Sequence, residues 1–161
     1  MLRNRSVPDV QRKRKNWQQH IPENGAKNLV FLDESGINTD MTRRYARAKR
    51  NQRAVDSTPL NTPATTTILS SIRLDGSCIY TTYQGGTTAE RFERYLKSDL
   101  LPTLGPDDII VMDNMRSHHA KVVKNLLDEK QIQYLYLPPY SPDYNPIENM
   151  WSKIKANMRK Q

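Results

Sequence analysis

The 161 residues contain one cysteine, Cys78. A lone thiol excludes an internal disulfide and any cysteine-built zinc cluster. A reducing cytosol is the expectation. Long apolar runs are also missing. Nothing approaches the ~18 consecutive apolar residues of a membrane span. The opening MLRNRSVPDV carries charge with no apolar segment behind it, so it does not read as a secretory leader. Repeats and low-complexity segments are absent. Acidic residues are outnumbered, 17 against 25 basic, for a net charge of +8. At this length the chain reads as one domain with a core of its own.

The charge is unevenly placed. Residues 1–20 carry +5, residues 41–53 carry +6 and residues 151–161 carry +4. These stretches hold +15 of a total of +8, which leaves −7 for the rest. Basic arms around an acidic middle suggest a nucleic-acid binder whose acids have a separate task. Arg12, Arg14, Arg43, Arg44, Arg47, Lys49, Arg50, Arg53, Lys153 and Lys155 are the candidate DNA contacts. The competing reading is of solvated basic faces.

Residues 6–21 can form a polar helix with Val10, Trp17 and Ile21 on one side. Residues 1–27 therefore read as a basic arm or linker helix, and residues 28–161 as the domain. Leu29–Leu32 is a short continuous apolar run, predicted to be a buried strand that ends in Asp33. RRYARA at 43–48 reads as a short strand or a basic loop. Thr65–Arg73 and Cys78–Tyr83 flank Asp75-Gly76 and predict a hairpin. Thr87 and Glu90 form a capping-box pattern ahead of a helix at 88–101. IIVM is a second buried strand, closed by Asp113. Ser117 is the expected cap of a helix at 118–130. IQYLYLP predicts a last strand, stopped by Pro138.

PPYSPDYNPIENMW, residues 138–151, then starts a helix. Asn145 is the expected N-cap, Pro146 the first helical residue and Glu148 the third. Taken alone, Glu148 fits a capping box that reaches back to the Asn145 N–H. The order of elements predicts an α/β fold whose mixed five-stranded sheet has helices on both faces, with crossover helices in the second half.

Asp33 and Asp113 each close an apolar run. If their strands are parallel neighbours, both reach the same sheet edge, where open α/β sheets bind ligands. The last loop returns Glu148 to that edge. Two aspartates and a glutamate are hard oxygen donors suited to Mg²⁺ or Mn²⁺. Two such ions ~4 Å apart can activate a nucleophile and stabilise the leaving oxygen of a phosphodiester. Glu34 is set aside, because a strand continuing through it would send its side chain to the other face. Asp143 reads as a turn residue.

FLDES, VMDNMRSHHA and PPYSPDYNPIENMW together resemble the DDE transposases of the mariner superfamily, in its bacterial insertion-sequence branch. The 34 residues between Asp113 and Glu148 match the spacing of that branch. The resemblance covers about residues 28–155. It implies a ribonuclease-H-like fold, with Asp33, Asp113 and Glu148 as catalytic residues holding two metal ions. It also implies cleavage at transposon ends and strand transfer by a 3′-hydroxyl into target DNA, usually at TA. Implied partners are duplex DNA, further copies in a transpososome and a separate helix-turn-helix polypeptide. Implied location is the bacterial cytoplasm, associated with the nucleoid.

Asn114 matches the family and is expected to hold the loop. His118 and His119 are expected at a helix N-terminus, whose dipole disfavours an imidazolium. The expected role is therefore a neutral one supporting a carboxylate, with a structural role as the alternative. Nothing before Asn28 is long enough for a helix-turn-helix region, and eleven residues follow Met150. A split-frame product, a fragment and a decayed copy that only binds DNA all stay open. A structure-selective nuclease of the same fold is the other enzyme reading.

Overall fold

In a computed structural model of the chain, residues 8–21, 25–38, 41–42, 45–55, 57 and 65–159 are described. A polar helix, α1 (Pro8–His20), precedes β1 (Leu29–Ile37). A hairpin of β2 (Thr66–Ile72) and β3 (Cys78–Gln84) follows. Then come α2 (Ala89–Tyr95), β4 (Ile109–Met112), α3 (Lys121–Glu129), β5 (Gln133–Tyr136) and α4 (Ile147–Met158). The five strands form one sheet in the order β3-β2-β1-β4-β5. The β1–β4 and β4–β5 pairs are parallel, and the hairpin adds two antiparallel strands. This is the mixed sheet expected from the sequence.

Strand alternation sorts the core. Even-numbered Val30, Leu32, Ile110 and Met112 pack with Leu69 under Phe92, Tyr95, Leu96 and Leu100 of the α2 region and Val123, Leu126 and Leu127 of α3. Odd-numbered Leu29 and Val111 join Leu137 on the opposite face, with Phe31, Ile109, Trp17, Ile21 and Tyr144 against them. Thus α1, expected as an arm, lies against the sheet. Beyond α2 the coil loosens to π geometry over Leu96–Leu100 and tightens to a 3-10 turn over Leu101–Thr103.

Several boundaries differ from expectation. β1 does not end at Asp33; it runs four residues further because β2 pairs with it through Ile37. Thr88, one residue after the predicted cap, accepts from Arg91 N–H. Thr87 Oγ1 instead meets Tyr83 Oη at 2.6 Å. α3 starts at Lys121, and Ala120 stands where Ser117 was expected to cap. Residues 45–49 have no regular structure, and Arg43 and Arg44 lie outside the described residues. No described helix is long and apolar enough to cross a membrane.

One ion pair ties the hairpin to the chain before β4. Arg73 donates to both oxygens of Asp108, at 2.8 and 2.6 Å, and Asp108 Oδ2 also accepts Gly105 N–H at 2.7 Å. The guanidinium hydrogen bond, helped by the Gly105 N–H, holds the Asp108 carboxyl below its usual range against the opposing effect of burial. A carboxyl depressed in the folded state stabilises at pH values above its unfolded pKa, near 3.9. Asp108→Asn should therefore cost about 2 kcal/mol at neutral pH. In denaturant titrations, the gap between parent and variant should stay constant above about pH 4 and close as pH falls through the depressed folded value. A gap unchanged at pH 2.5 would show that the charge contributes nothing.

Candidate active site

β1 and β4 bring the two aspartates to one edge. Their parallel register aligns Phe31 with Val111. Asp33 and Asp113 each lie two residues further on, with the odd parity that faces α4. A cleft of about 300 Å³ opens there, lined by Asp33, Asp113, Asn114, Tyr140, Ser141 and Glu148 together with the prolines of the last loop. The three predicted carboxylates therefore share one cavity.

The way Glu148 arrives differs from the capping-box reading. Asn145 is extended at φ −108, ψ 100, and Pro146 already has helical angles. No side chain caps α4. Asn145 Oδ1 is buried with no hydrogen-bond partner, and Glu148 remains exposed beside the cleft. The loop geometry that starts the helix leaves the carboxylate turned outward.

Each aspartate is held at one oxygen. Trp151 Nε1–H donates to Asp33 Oδ2 at 3.1 Å. Asp113 Oδ1 accepts Met115 N–H at 2.9 Å and faces His118 Nδ1 at 2.9 Å. Burial, reinforced by the negative charge of Glu148, pushes the Asp33 carboxyl up to about 7. Burial would raise Asp113 as well, but hydrogen bonds from His118 and the Met115 N–H hold it below its usual range.

His118 corrects two expectations. It lies in the turn before α3, not in the helix. Its surroundings also favour the imidazolium over the neutral ring that was expected. Its ring is completely buried, tilted against Phe92 at 4.2 Å, with Nε2 2.9 Å from Glu34 Oε1 and Nδ1 2.9 Å from Asp113 Oδ1. Burial alone would lower its pKa, but these two carboxylates outweigh it and push the imidazole up to about 9. Glu34 does leave on the opposite face from Asp33, yet it belongs to the site through this histidine. The parity of β1 was the available signal; the partner, 84 residues away, was not.

Among the described residues, the three groups whose ligand atoms all fall within 4.8 Å of one another are Glu34, Asp113 and His118. That set is a poor metal site. Both ring nitrogens already sit at hydrogen-bonding distance from carboxylates, so neither offers a lone pair to a cation. The better donor set is Asp33, Asp113 and Glu148. These are three hard oxygen donors in an open cleft, with no cationic side chain lining it.

Asn114 closes the edge next to Asp113. Its Nδ2 donates to Leu137 O, and its Oδ1 lies 3.3 Å from His119 Nε2. His119 stacks on Tyr136 at 4.1 Å. Arg14, counted among the DNA contacts, is occupied otherwise. It forms a forked pair with Asp143 at 2.6 and 3.1 Å, donates to Ser141 Oγ at 2.7 Å and covers the Tyr144 ring at 4.1 Å. Trp17 stacks on the same ring. The core-facing side of α1, which carries Arg14 along with Val10 and Trp17, thus straps the last loop. Arg12 pairs with Asp9 on the helix surface. Arg47, Lys49, Arg50, Arg53 and Lys153 are exposed, and Lys155 is partly buried.

Residues 28–161 match the family model described as DDE superfamily endonuclease. The chain belongs to this family. The DDE domain is 29% identical over 72 residues to the Tcb2 transposase of Caenorhabditis briggsae, across 42% of this chain and 26% of the relative. It superposes on Mos1 transposase in a paired-end complex with the left transposon end, with a TM-score of 0.78 at 21% identity, covering 94% of this chain and 49% of that one. The Mos1 mariner transposase catalytic domain gives a TM-score of 0.71 at 19% identity, covering 100% of this chain and 75% of that one. These likenesses establish the ribonuclease-H-like fold. The DDE domain spans about half the length of the Mos1 chain and about a quarter of the worm relative.

The strap can be tested apart from any activity. Arg14→Ala should lower stability by about 1–2 kcal/mol, since it removes a part-buried hydrogen bond to Ser141 and a forked pair with Asp143. Arg12→Ala should leave the melting temperature unchanged, because exposed pairs contribute little. Equal melting temperatures for the two variants would show that Arg14 does not hold the loop.

Proposed function

We propose that the chain is the catalytic domain of a mariner-superfamily transposase, of the insertion-sequence branch, which cuts DNA at transposon ends and joins the freed 3′-hydroxyl to a target. The observation that carries this reading is the shared cleft of Asp33, Asp113 and Glu148, delivered by two neighbouring parallel strands and a loop-anchored helix. Family membership supports the reaction class, and the 34-residue interval supports the branch.

The donor set fits divalent ions. Three carboxylates face a cleft with no compensating cation on its walls, and Asp33 is raised to about 7 by burial and by the charge of Glu148. A hard cation would relieve that repulsion. Asp33, Asp113 and Glu148 would hold one or two Mg²⁺ or Mn²⁺ ions. When bound, such ions supply an activated attacking oxygen and charge stabilisation at the leaving oxygen. Mos1, similar in fold, has been crystallised as a paired-end complex with Mn and with Mg.

The chain's own residues orient these carboxylates. His118 and the Met115 N–H fix Asp113 Oδ1, and Trp151 fixes Asp33 Oδ2. Exposed Arg47, Lys49, Arg50, Arg53 and Lys153 supply positive charge for the phosphate backbone. Duplex binding should have little sequence preference, and its affinity should fall steeply with salt. Assembly with further copies and with an end-recognising polypeptide belongs to the same reading.

Glu148→Gln provides the test. It keeps the size of the side chain and removes its charge, and no capping bond is lost at α4. The variant should melt within about a degree of the parent and bind DNA equally. Nicking of a labelled duplex in Mg²⁺ or Mn²⁺ should drop by orders of magnitude. A variant that cuts as well as the parent would remove Glu148 from the site. A parent that binds duplex but never cuts, with any end-binding polypeptide supplied, would favour a domain that only binds DNA.

A further inference from the structure

We infer that Trp151 is a positioning residue for Asp33: its indole N–H fixes one carboxylate oxygen so that the other is presented to the ion-holding cleft. The inference rests on Asp33 being an ion-holding carboxylate.

The geometry singles out this side chain. Trp151 is only 4% exposed, and Nε1, its one polar atom, lies 3.1 Å from Asp33 Oδ2. It stands three residues after Glu148, so both project from the same side of α4. One helix face therefore delivers a carboxylate to the cleft and a donor to the aspartate across it. Behind the indole lies a pocket of about 240 Å³, lined by Ile68, Ser70, Cys78, Tyr80, Met150 and Ile154. That lining is mainly apolar, so the N–H is aimed at the cleft side of the ring.

A packing role alone would need a buried ring of this size, but not this bond. Asp33 lies inside a strand, opposite Ser70, with backbone fixed on both sides. What remains free is rotation about its side-chain torsions, and the indole N–H removes that freedom. Asp113 is treated the same way, held at Oδ1 while Oδ2 is left for the cleft. Groups that orient metal-holding carboxylates typically change metal affinity about 10–100-fold when removed.

Trp151→Phe keeps most of the ring and deletes the donor. Binding of Mn²⁺ to the purified chain, read by electron paramagnetic resonance of the free ion, reports on the site without DNA or turnover. The expected result is a Kd raised about 10-fold, with a cooperative melt retained. Met150→Leu, on the same helix, should bind Mn²⁺ like the parent. If Trp151→Phe fails to fold, replacing tryptophan by benzothienylalanine decides, because sulfur then takes the place of N–H in a ring of the same shape. The other tryptophan, Trp17, has an Nε1 without a partner, so that exchange breaks no bond there.

Mn²⁺ binding that is abolished by Asp33→Asn but unchanged by loss of the indole N–H would overturn the positioning role and leave the metal reading standing. Binding by the parent that Asp33→Asn and Glu148→Gln leave intact, or no binding at all, would overturn both. An equal loss of affinity in Met150→Leu would assign the effect to helix packing and overturn the role of the N–H.

Discussion

Asp33 and Glu34 are consecutive residues of one strand, so the pleat sends their side chains to opposite faces of the sheet. The rest of the site follows from that separation. On the α4 face, Asp33 meets Trp151 and looks across a cleft to Asp113 and Glu148. On the α3 face, Glu34 meets His118, which returns to Asp113 around the end of β4. Asp113 is therefore held from the face it does not itself occupy. A slip of one residue in β1 would send Asp33 to the α3 face and Glu34 to the α4 face.

The charges on the two faces are balanced differently. Behind the sheet, His118 sits between two carboxylates, which favours its imidazolium despite complete burial. In the cleft, Asp33 and Glu148 have no such partner among the lining residues, while Asp113 is compensated by His118 from behind the sheet. Burial, with the negative charge of Glu148 added to it, pushes the Asp33 carboxyl up to about 7. A protein gains nothing in stability from this arrangement, since like charges brought together in a partly buried cavity cost free energy.

The sequence made the scaffold legible because the scaffold is written in local pattern. Apolar runs at 29–32 and 109–112, the Asp75-Gly76 turn and the IQYLYLP segment each carry their own signal, and all five strands form at those stretches, with β1 longer than its run. The parallel register of β1 and β4 brings both aspartates to one edge, although Asp33 lies inside its strand. What failed was whatever depends on a distant partner. Arg14 reads as a free cation until Asp143 and Ser141, more than 120 residues away, close on it. His118 reads as neutral from the helix dipole alone, because the dipole is weaker than two carboxylates at 2.9 Å. β1 runs past Asp33 because β2 pairs with its second half, and pairing leaves no mark on the strand's own residues.

The capping-box reading of Glu148 shows how local pattern and site chemistry compete. Asn-Pro-x-Glu fits a helix start, and a helix does start there, but its cap bond is not made. Asn145 keeps a buried, unpartnered oxygen and Glu148 stays in solvent at the cleft mouth. The Asn145 N–H donates instead to Pro142 O at 3.0 Å, so it does not call on the Glu148 carboxylate. The loop is instead fixed from outside, by Arg14 on Asp143 and by Trp17 on Tyr144, and the helix by the burial of Ile147 and Trp151. With α1 and the core holding the turn, the helix end does not need its own cap. Glu148 is left at the cleft with no hydrogen bond given up at the helix start.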